Sequence, residues 1–464
     1  MAFGADIASM FFQVKLHPRD WDSLRFLWWQ DGDLSQPLQD YQMMVHLFGA
    51  KSSPACANYA LKRVAEDNTT KASSEAVSVV KRAFYVDDCL KSVDSEEYAV
   101  QLVAEVKSLL KSGGFNLTKF TSNCRNVLNA LSEDDRSPDI KNLELGTLPV
   151  TKTLGLHWNM NADTFEIHVN LRPKPLTRRG ILSQASQLFD PFGVIQPFIL
   201  PVKQLLQRLC QVNLGWDDEL SSHEQELWLR ALPKLQTISI PRWFGTCLKD
   251  VGLELHCFSD TSEVGYGAVC YLRIANDSRP RCYFLLGKSR VAPLKVVTVP
   301  GLELSAAVVC VKLSKLFTKE MEINFTKITF WTDSMAVLQY IRNSTRRFNV
   351  FVANRLTVIH SASKVCQWRH VDSARNPADT ASRGLMPGSE CKLWLEGPGF
   401  LWQSEEHWPE NPNALAPLSD DDPEIKKVKA VATNTLLREP SARDYELSFR
   451  VVTLAKGHRL VNAS

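Results

Sequence analysis

Seven carboxylates stand at the ends of strand-like runs or in the first turn of a helix-like one. They are Asp6 in "ADIASMFFQV", Asp87 and Asp88 in "FYVDDCL", Asp260 in "FSDTS", Glu303 in "PGLELSA", Asp333 in "WTDS" and Asp379 in "NPADTASRG". A lone acid at such a place ordinarily faces solvent, caps a helix or suits a turn. Several acids brought to one point are different, because clustered carboxylates are the hard oxygen ligands that divalent cations require. Two such ions about 3.5 to 4 Å apart can stabilise both the attacking and the leaving oxygen of a phosphodiester in hydrolysis or transfer. The acids form two sets in the chain, one before residue 90 and one after residue 255.

The elements that must position these acids follow from periodicity. Up to about residue 125, "ADIASMFFQVKL" and "SLRFLWWQ" alternate as strands and "SPACANYALKRVAE" has helical spacing; "SEEYAVQLVAEVKSLLKSGGF" is an amphipathic helix stopped by Gly113 and Gly114. Residues 126–175 hold a hairpin whose two alternating runs flank Asn159 to Asp163, and residues 176–249 are mainly helical. From 250 to 388 the order is three strands, helix, strand, two helices and strand, an α/β unit, and residues 389–464 are taken as a polar tail. The expected fold class is therefore α+β and α/β multidomain, with a mainly helical connector between the two acidic units.

The bulk numbers bound the partners. A chain of 464 residues with 44% hydrophobic content has room for several cores, and 54 basic against 51 acidic residues leaves a net charge of only +3, so a polyanion-binding surface must be local. One local candidate is "YIRNSTRRFNVFVANR", with Arg342, Arg346 and Arg347 as phosphate contacts, although a solvated helix face accounts for the same residues. Eleven cysteines without metal-binding spacing point to free thiols in a reducing, intracellular compartment, and no apolar run is long enough to span a membrane.

The later acids resemble the ribonuclease H domain of retroelements, in which Asp, Glu, Asp and Asp occupy the first strand, first helix, fourth strand and a late helix. By that resemblance Asp260, Glu303, Asp333 and Asp379 are catalytic and metal-binding. The earlier segments, Asp6, "FGAKSSPACANYAL", Tyr85 to Asp88, "GGFNLTKFTSN" and "TLGLHW", resemble in order the palm motifs of reverse transcriptases. This implies a partial right-hand polymerase palm with Asp6, Asp87 and Asp88 as its catalytic, metal-binding triad. Phe11 would select the deoxyribonucleotide, Lys119 would lie near the departing phosphates, and Leu154 with Gly155 would grip the primer. Phe48 stands where many retroviral enzymes carry a glutamine.

Together with "SQLFDPFGVIQP" and "NPADTASRG", these strings are similar to the Pao/BEL group of long-terminal-repeat retrotransposons. The resemblance implies Mg²⁺, with Mn²⁺ as the substitute, and as partners an RNA template, a DNA primer, dNTPs, RNA·DNA hybrid and other Pol and Gag segments of the element. It also implies a cytoplasmic virus-like particle with a nuclear step. The strand bearing Asp6 begins at once, so the sequence is expected to be cut from a longer chain that holds the polymerase fingers and, further on, an integrase; primer extension by these residues alone is not expected. Two other readings are a copy that binds nucleic acid without cleaving it and an aspartic peptidase, the second disfavoured because the Asp-Thr/Ser-Gly string is absent.

Overall fold

The structure, a computed structural model, describes residues 1–140, 148–231, 237–244, 252–275, 279–321, 323–412, 418–419 and 421–426. In chain order the first unit holds β1 (Ala2–Ile7), β2 (Arg25–Trp29), β3 (Leu38–Gln42), α1 (Ser53–Asp67), α2 (Ser74–Arg82), β4 (Phe84–Tyr85), β5 (Asp88–Ser92), α3 (Glu96–Ser112), β6 (Leu117–Ser122) and α4 (Arg125–Asn129). β1 carries one charged residue in six, Asp6, and is buried along nearly its whole length, as a central strand must be. It lies between β5 and β6 in a sheet of order β4-β5-β1-β6. Phe3, Ala5 and Ile7 of this strand pack with Leu61, Val80 and Val106 of α1, α2 and α3. Ser95 caps α3, and the chain leaves that helix through Gly113 and Gly114, as its sequence requires.

The second unit contains β7 (Val150–Thr153), β8 (Leu156–Asn159), β9 (Thr164–Ile167), α5 (Arg178–Ala185), α6 (Gln196–Gln211), α7 (Ser222–Arg230) and β10 (Ile238–Pro241). Here the first run of the expected hairpin is divided. Leu154 and Gly155 take φ of 51° and 82°, so they form a two-residue turn and the run becomes two strands. Alternation cannot reveal such a break, because the inward-outward pattern continues on either side. β10 then returns after the helices to complete a sheet of order β10-β9-β8-β7, which makes the connector less purely helical than its sequence pattern indicates. Arg242, just past β10, clamps the return: its Nε and Nη2 donate to the two oxygens of Asp163 at 2.6 and 2.7 Å.

The third unit holds β11 (Gly252–Thr261), β12 (Gly265–Ala275), β13 (Arg281–Val291), α8 (Val299–Glu320), β14 (Lys327–Thr332), α9 (Met335–Arg342), α10 (Val350–His360), β15 (Trp368–His370), α11 (Ala378–Arg383) and α12 (Lys392–Glu396). Its sheet has the order β13-β12-β11-β14-β15, antiparallel on the β12 side and parallel on the β14 side. Leu255, Cys257, Cys270 and Phe330 face α8, α9 and α10. The opposite face of the sheet, through Phe258, Val269 and Tyr271, shares one core with the connector helices and with Trp394, Phe400, Leu401 and Trp408.

That shared core bears on one sequence reading. The connector packs on the α/β unit, with Phe198 and Val202 of α6 buried in the same core. The chain after 389 is not simply a polar tail: Trp394 is fully buried, and its Nε1 donates to Val194 O at 2.8 Å. Residues 413–417, 420 and 427–464 of the expected tail lie outside the described residues.

Candidate metal centre

The sheet register itself assembles the later acids. β11 and β14 run parallel with Ser259 opposite Thr332, so the next residue of each, Asp260 and Asp333, lie side by side at the carboxyl ends of adjacent strands. Ligands of open α/β sheets bind at that end. Glu303 reaches the same point from the beginning of α8, a helix started by the Thr298 side chain, which accepts from Gly301 N, and by Pro300 in its first turn. One ligand atom from each of Asp260, Glu303 and Asp333 lies within 4.8 Å of the others, and this is the one such acidic group among the described residues.

These acids are fixed from behind. The Ser382 hydroxyl donates to Asp260 Oδ2 and the Ser373 hydroxyl to Asp333 Oδ2. Asn376, fully buried, donates from Nδ2 to Ser259 O at 3.1 Å and accepts from Ala378 N at 3.1 Å, tying α11 to the strand that carries Asp260. Gly267 lets α11 come so close: a Cβ there would lie 2.7 Å from that of Ala381 and 2.6 Å from Lys288 O. Ser373, Asn376 and Ser382 were not singled out from sequence. Their signal lies in "SARNPADTASRG", on either side of its single carboxylate.

The electrostatics of the cluster suit a cation. Burial, with Asp333 close by, pushes the Asp260 carboxyl up to about 7, and burial with Asp260 and Asp333 pushes Glu303 up to about 9. Glu303 Oε2 and Asp333 Oδ1 are buried with no hydrogen-bond partner. Buried polar oxygens are rarely left so, and orphaned carboxylate oxygens within such an acidic group are what a hard divalent ion would satisfy. Asp379 stands outside the group: Arg383 Nε donates to its Oδ1 at 2.6 Å.

A pH dependence follows. Both raised carboxyls hold protons in the folded chain that the unfolded chain releases near pH 4, so without metal the folded state binds more protons and stability falls as pH rises from about 4 towards about 9. A divalent ion bound by these carboxyls would replace those protons. The melting temperature of the metal-free chain is expected to drop between about pH 5 and about pH 9, and the increase on adding Mg²⁺ is expected to be larger at the higher pH. A flat metal-free profile, measured by calorimetry, would contradict the assignment.

The earlier acids are arranged otherwise. Asp6 and Asp88 are opposite each other on β1 and β5, with Asp87 in the preceding turn. Burial, Asp87 and Asp6 together raise the Asp88 carboxyl above its usual range. Their ligand atoms do not converge as those around Asp260 do. Lys119 places Nζ 3.0 Å from Asp6 Oδ2, an attraction between opposite charges. Phe11 is buried, with its ring against Phe48 in an edge contact of 4.8 Å. Leu154 and Gly155 form the turn described above, against Phe189: a Cβ on Gly155 would lie 2.8 Å from that ring. Arg342, Arg346 and Arg347 are exposed around the loop between α9 and α10. No helix of the described residues is long and apolar enough to cross a membrane.

Comparison with known proteins adds to this geometry. Residues 177–334 match the family described as the Pao retrotransposon-like RNaseH-like domain. The match begins in the connector and ends just past Asp333, so it crosses the boundary that sequence reading placed at 250 and agrees with the shared core. None of the curated proteins matches the chain. Two similar solved structures are a foamy viral protease-reverse transcriptase dRH in complex with double-stranded DNA, with TM-score 0.48, 12% identity and coverage of 80% of this chain and 56% of that one, and a foamy viral protease-reverse transcriptase in complex with RNA/DNA hybrid, with TM-score 0.45, 13% identity and coverage of 84% and 45%. The chain thus spans about half the length of those solved chains. Residues 177–334 are thus similar to the Pao retrotransposon-like RNaseH-like domain, in line with the motif strings of the sequence.

Proposed function

We propose that the α/β unit is a ribonuclease H that cleaves the RNA strand of an RNA·DNA hybrid, and that the first unit is part of a polymerase palm which, completed by the rest of a longer chain, acts on RNA template, DNA primer and dNTPs. The observation that carries the first part is the meeting of Asp260, Glu303 and Asp333 with two orphaned buried oxygens among them. Asp260, Glu303 and Asp333 would hold Mg²⁺ or Mn²⁺, and when bound the ions supply charge stabilisation for the attacking water and the leaving oxygen. The chain's own contribution is orientation. Ser382 and Ser373 set the carboxylate rotamers, and Asn376 and Gly267 hold α11 in place behind them.

The proposed palm rests on Asp6, Asp87 and Asp88 at one end of a sheet, with Lys119 available to exchange Asp6 for a phosphate. Hybrid is proposed to be recognised by shape and backbone, with Arg342, Arg346 and Arg347 as phosphate contacts. A second reading, binding without cleavage, is favoured by one observation: Asp379 is not among the acids whose ligand atoms meet, and its Oδ1 accepts from Arg383 Nε. A hybrid-binding assay run beside a cleavage assay on the purified chain separates them. Cleavage of hybrid that requires Mg²⁺ is the expected outcome, and binding with no cleavage at any Mg²⁺ concentration would favour the second reading.

A further inference from the structure

The segment 421–426 lies across the loop that joins α9 to α10, and it is bound there along its length. Arg347 O accepts from Lys426 N at 2.8 Å, Asn349 N donates to Glu424 O at 2.8 Å, and Asn349 Nδ2 donates to Pro423 O at 3.0 Å. Tyr340, buried at the end of α9, donates its hydroxyl to both oxygens of Asp422 at 3.0 and 2.9 Å. Glu424 is buried and accepts from the hydroxyl of Thr298, the residue that starts α8. One short segment therefore touches the arginine loop and the start of the helix that carries Glu303.

We propose that residues 421–426 are a positioning strap, which holds Arg346 and Arg347 in the geometry that meets a nucleic-acid phosphate backbone; this rests on the reading of those arginines as phosphate contacts. The loop is also ordered from within, where Asn343 Oδ1 accepts from Arg346 N at 3.0 Å and its Nδ2 donates to Arg346 O at 2.9 Å. Phe348 packs on the Tyr340 ring at 4.9 Å. The strap adds backbone anchors on the far side of the two arginines, at Arg347 O and Asn349 N. A binding loop ordered in advance loses less conformational freedom when it meets its ligand, and affinity rises accordingly.

Charge and positioning give opposite signs here, which makes the strap testable. Asp421, Asp422 and Glu424 outnumber Lys426, so a purely electrostatic strap would repel phosphate and its removal would strengthen binding. A positioning strap does the reverse. The carboxylates of Asp422 and Glu424 are turned inward onto Tyr340 and Thr298, which weakens their effect on an outside polyanion while fixing the loop.

The test uses the full chain with Asp422→Ala and Glu424→Ala together and, separately, Tyr340→Phe, which removes the anchor without changing charge. Hybrid affinity is measured with hydrogen exchange at the amides of residues 346–349, and the increase in melting temperature on adding Mg²⁺ serves as the check that the fold is kept. Both variants are expected to weaken hybrid binding about fivefold and to speed exchange in the loop. Tighter or unchanged binding in both would overturn the proposal. If Arg346→Ala with Arg347→Ala also leaves binding unchanged, the reading of the arginines fails; if that pair weakens binding and the strap variants do not, the strap proposal alone fails.

Discussion

Asp260→Asn or Asp333→Asn is expected to lower Mg²⁺-dependent cleavage of RNA in an RNA·DNA hybrid by at least about 10³-fold, because each removes a charged ligand from a site whose proposed chemistry is charge stabilisation. The folded chain is expected to tolerate both. Burial and the neighbouring Asp333 push the Asp260 carboxyl up to about 7, so without metal its charge is disfavoured in the fold and an asparagine of the same shape relieves repulsion with Asp333. Metal-free melting temperature should therefore hold or rise while activity disappears. Asp379→Asn should cost less activity, since that carboxylate is outside the group of three and accepts from Arg383. Cleavage rates and melting curves for the three variants check this ordering, and a variant at Asp260 with normal cleavage would contradict the metal assignment.

The second large effect is on stability. Trp394→Ala is expected to destabilise the chain by about 3 to 5 kcal/mol, the range for deleting a buried tryptophan. The side chain is fully buried, and its ring occupies the groove over Gly287, where a Cβ would lie 2.3 Å from Trp394 Cζ2. Its own carbonyl accepts from the Tyr271 hydroxyl at 2.6 Å. Trp402, eight positions on, is 43% exposed and donates its Nε1 to Glu396 O at 3.0 Å; it is the control, and Trp402→Ala should cost clearly less, about 1 kcal/mol. Urea unfolding of the two variants distinguishes a core role for residues 392–408 from a loose tail, which predicts equally small effects. By the same reasoning a chain ended at 388 should fail to fold its α/β unit.

What could be read in the sequence, and what could not, divides along physical lines. Asp260 and Asp333 were visible because a strand that ends in an acid is a local pattern, and parallel register then brings the two together. Glu303 was visible as an acid in the opening turns of a strongly apolar helix. The contributions of Ser373, Asn376 and Ser382 were hidden, since they depend on contacts across more than 100 residues in two of the three cases: Ser382 with Asp260 and Asn376 with Ser259. Trp394, Phe400, Leu401 and Trp408 were missed for another reason. They sit in "KLWLEGPGFLWQSEEHW", where Gly, Pro and short helical turns erase any period, although so many aromatics in so short a stretch were themselves a sign of burial. The break at Leu154 and Gly155 escaped because a two-residue turn leaves alternation intact.

The most direct measurement is the rate of RNA-strand cleavage in an RNA·DNA hybrid by the purified chain, followed as Mg²⁺ is raised from zero and then removed with chelator. The account predicts cleavage that appears with Mg²⁺, stops on chelation, spares a DNA duplex and is lost in Asp333→Asn. Cleavage that persists in chelator, or that survives Asp333→Asn, would contradict it.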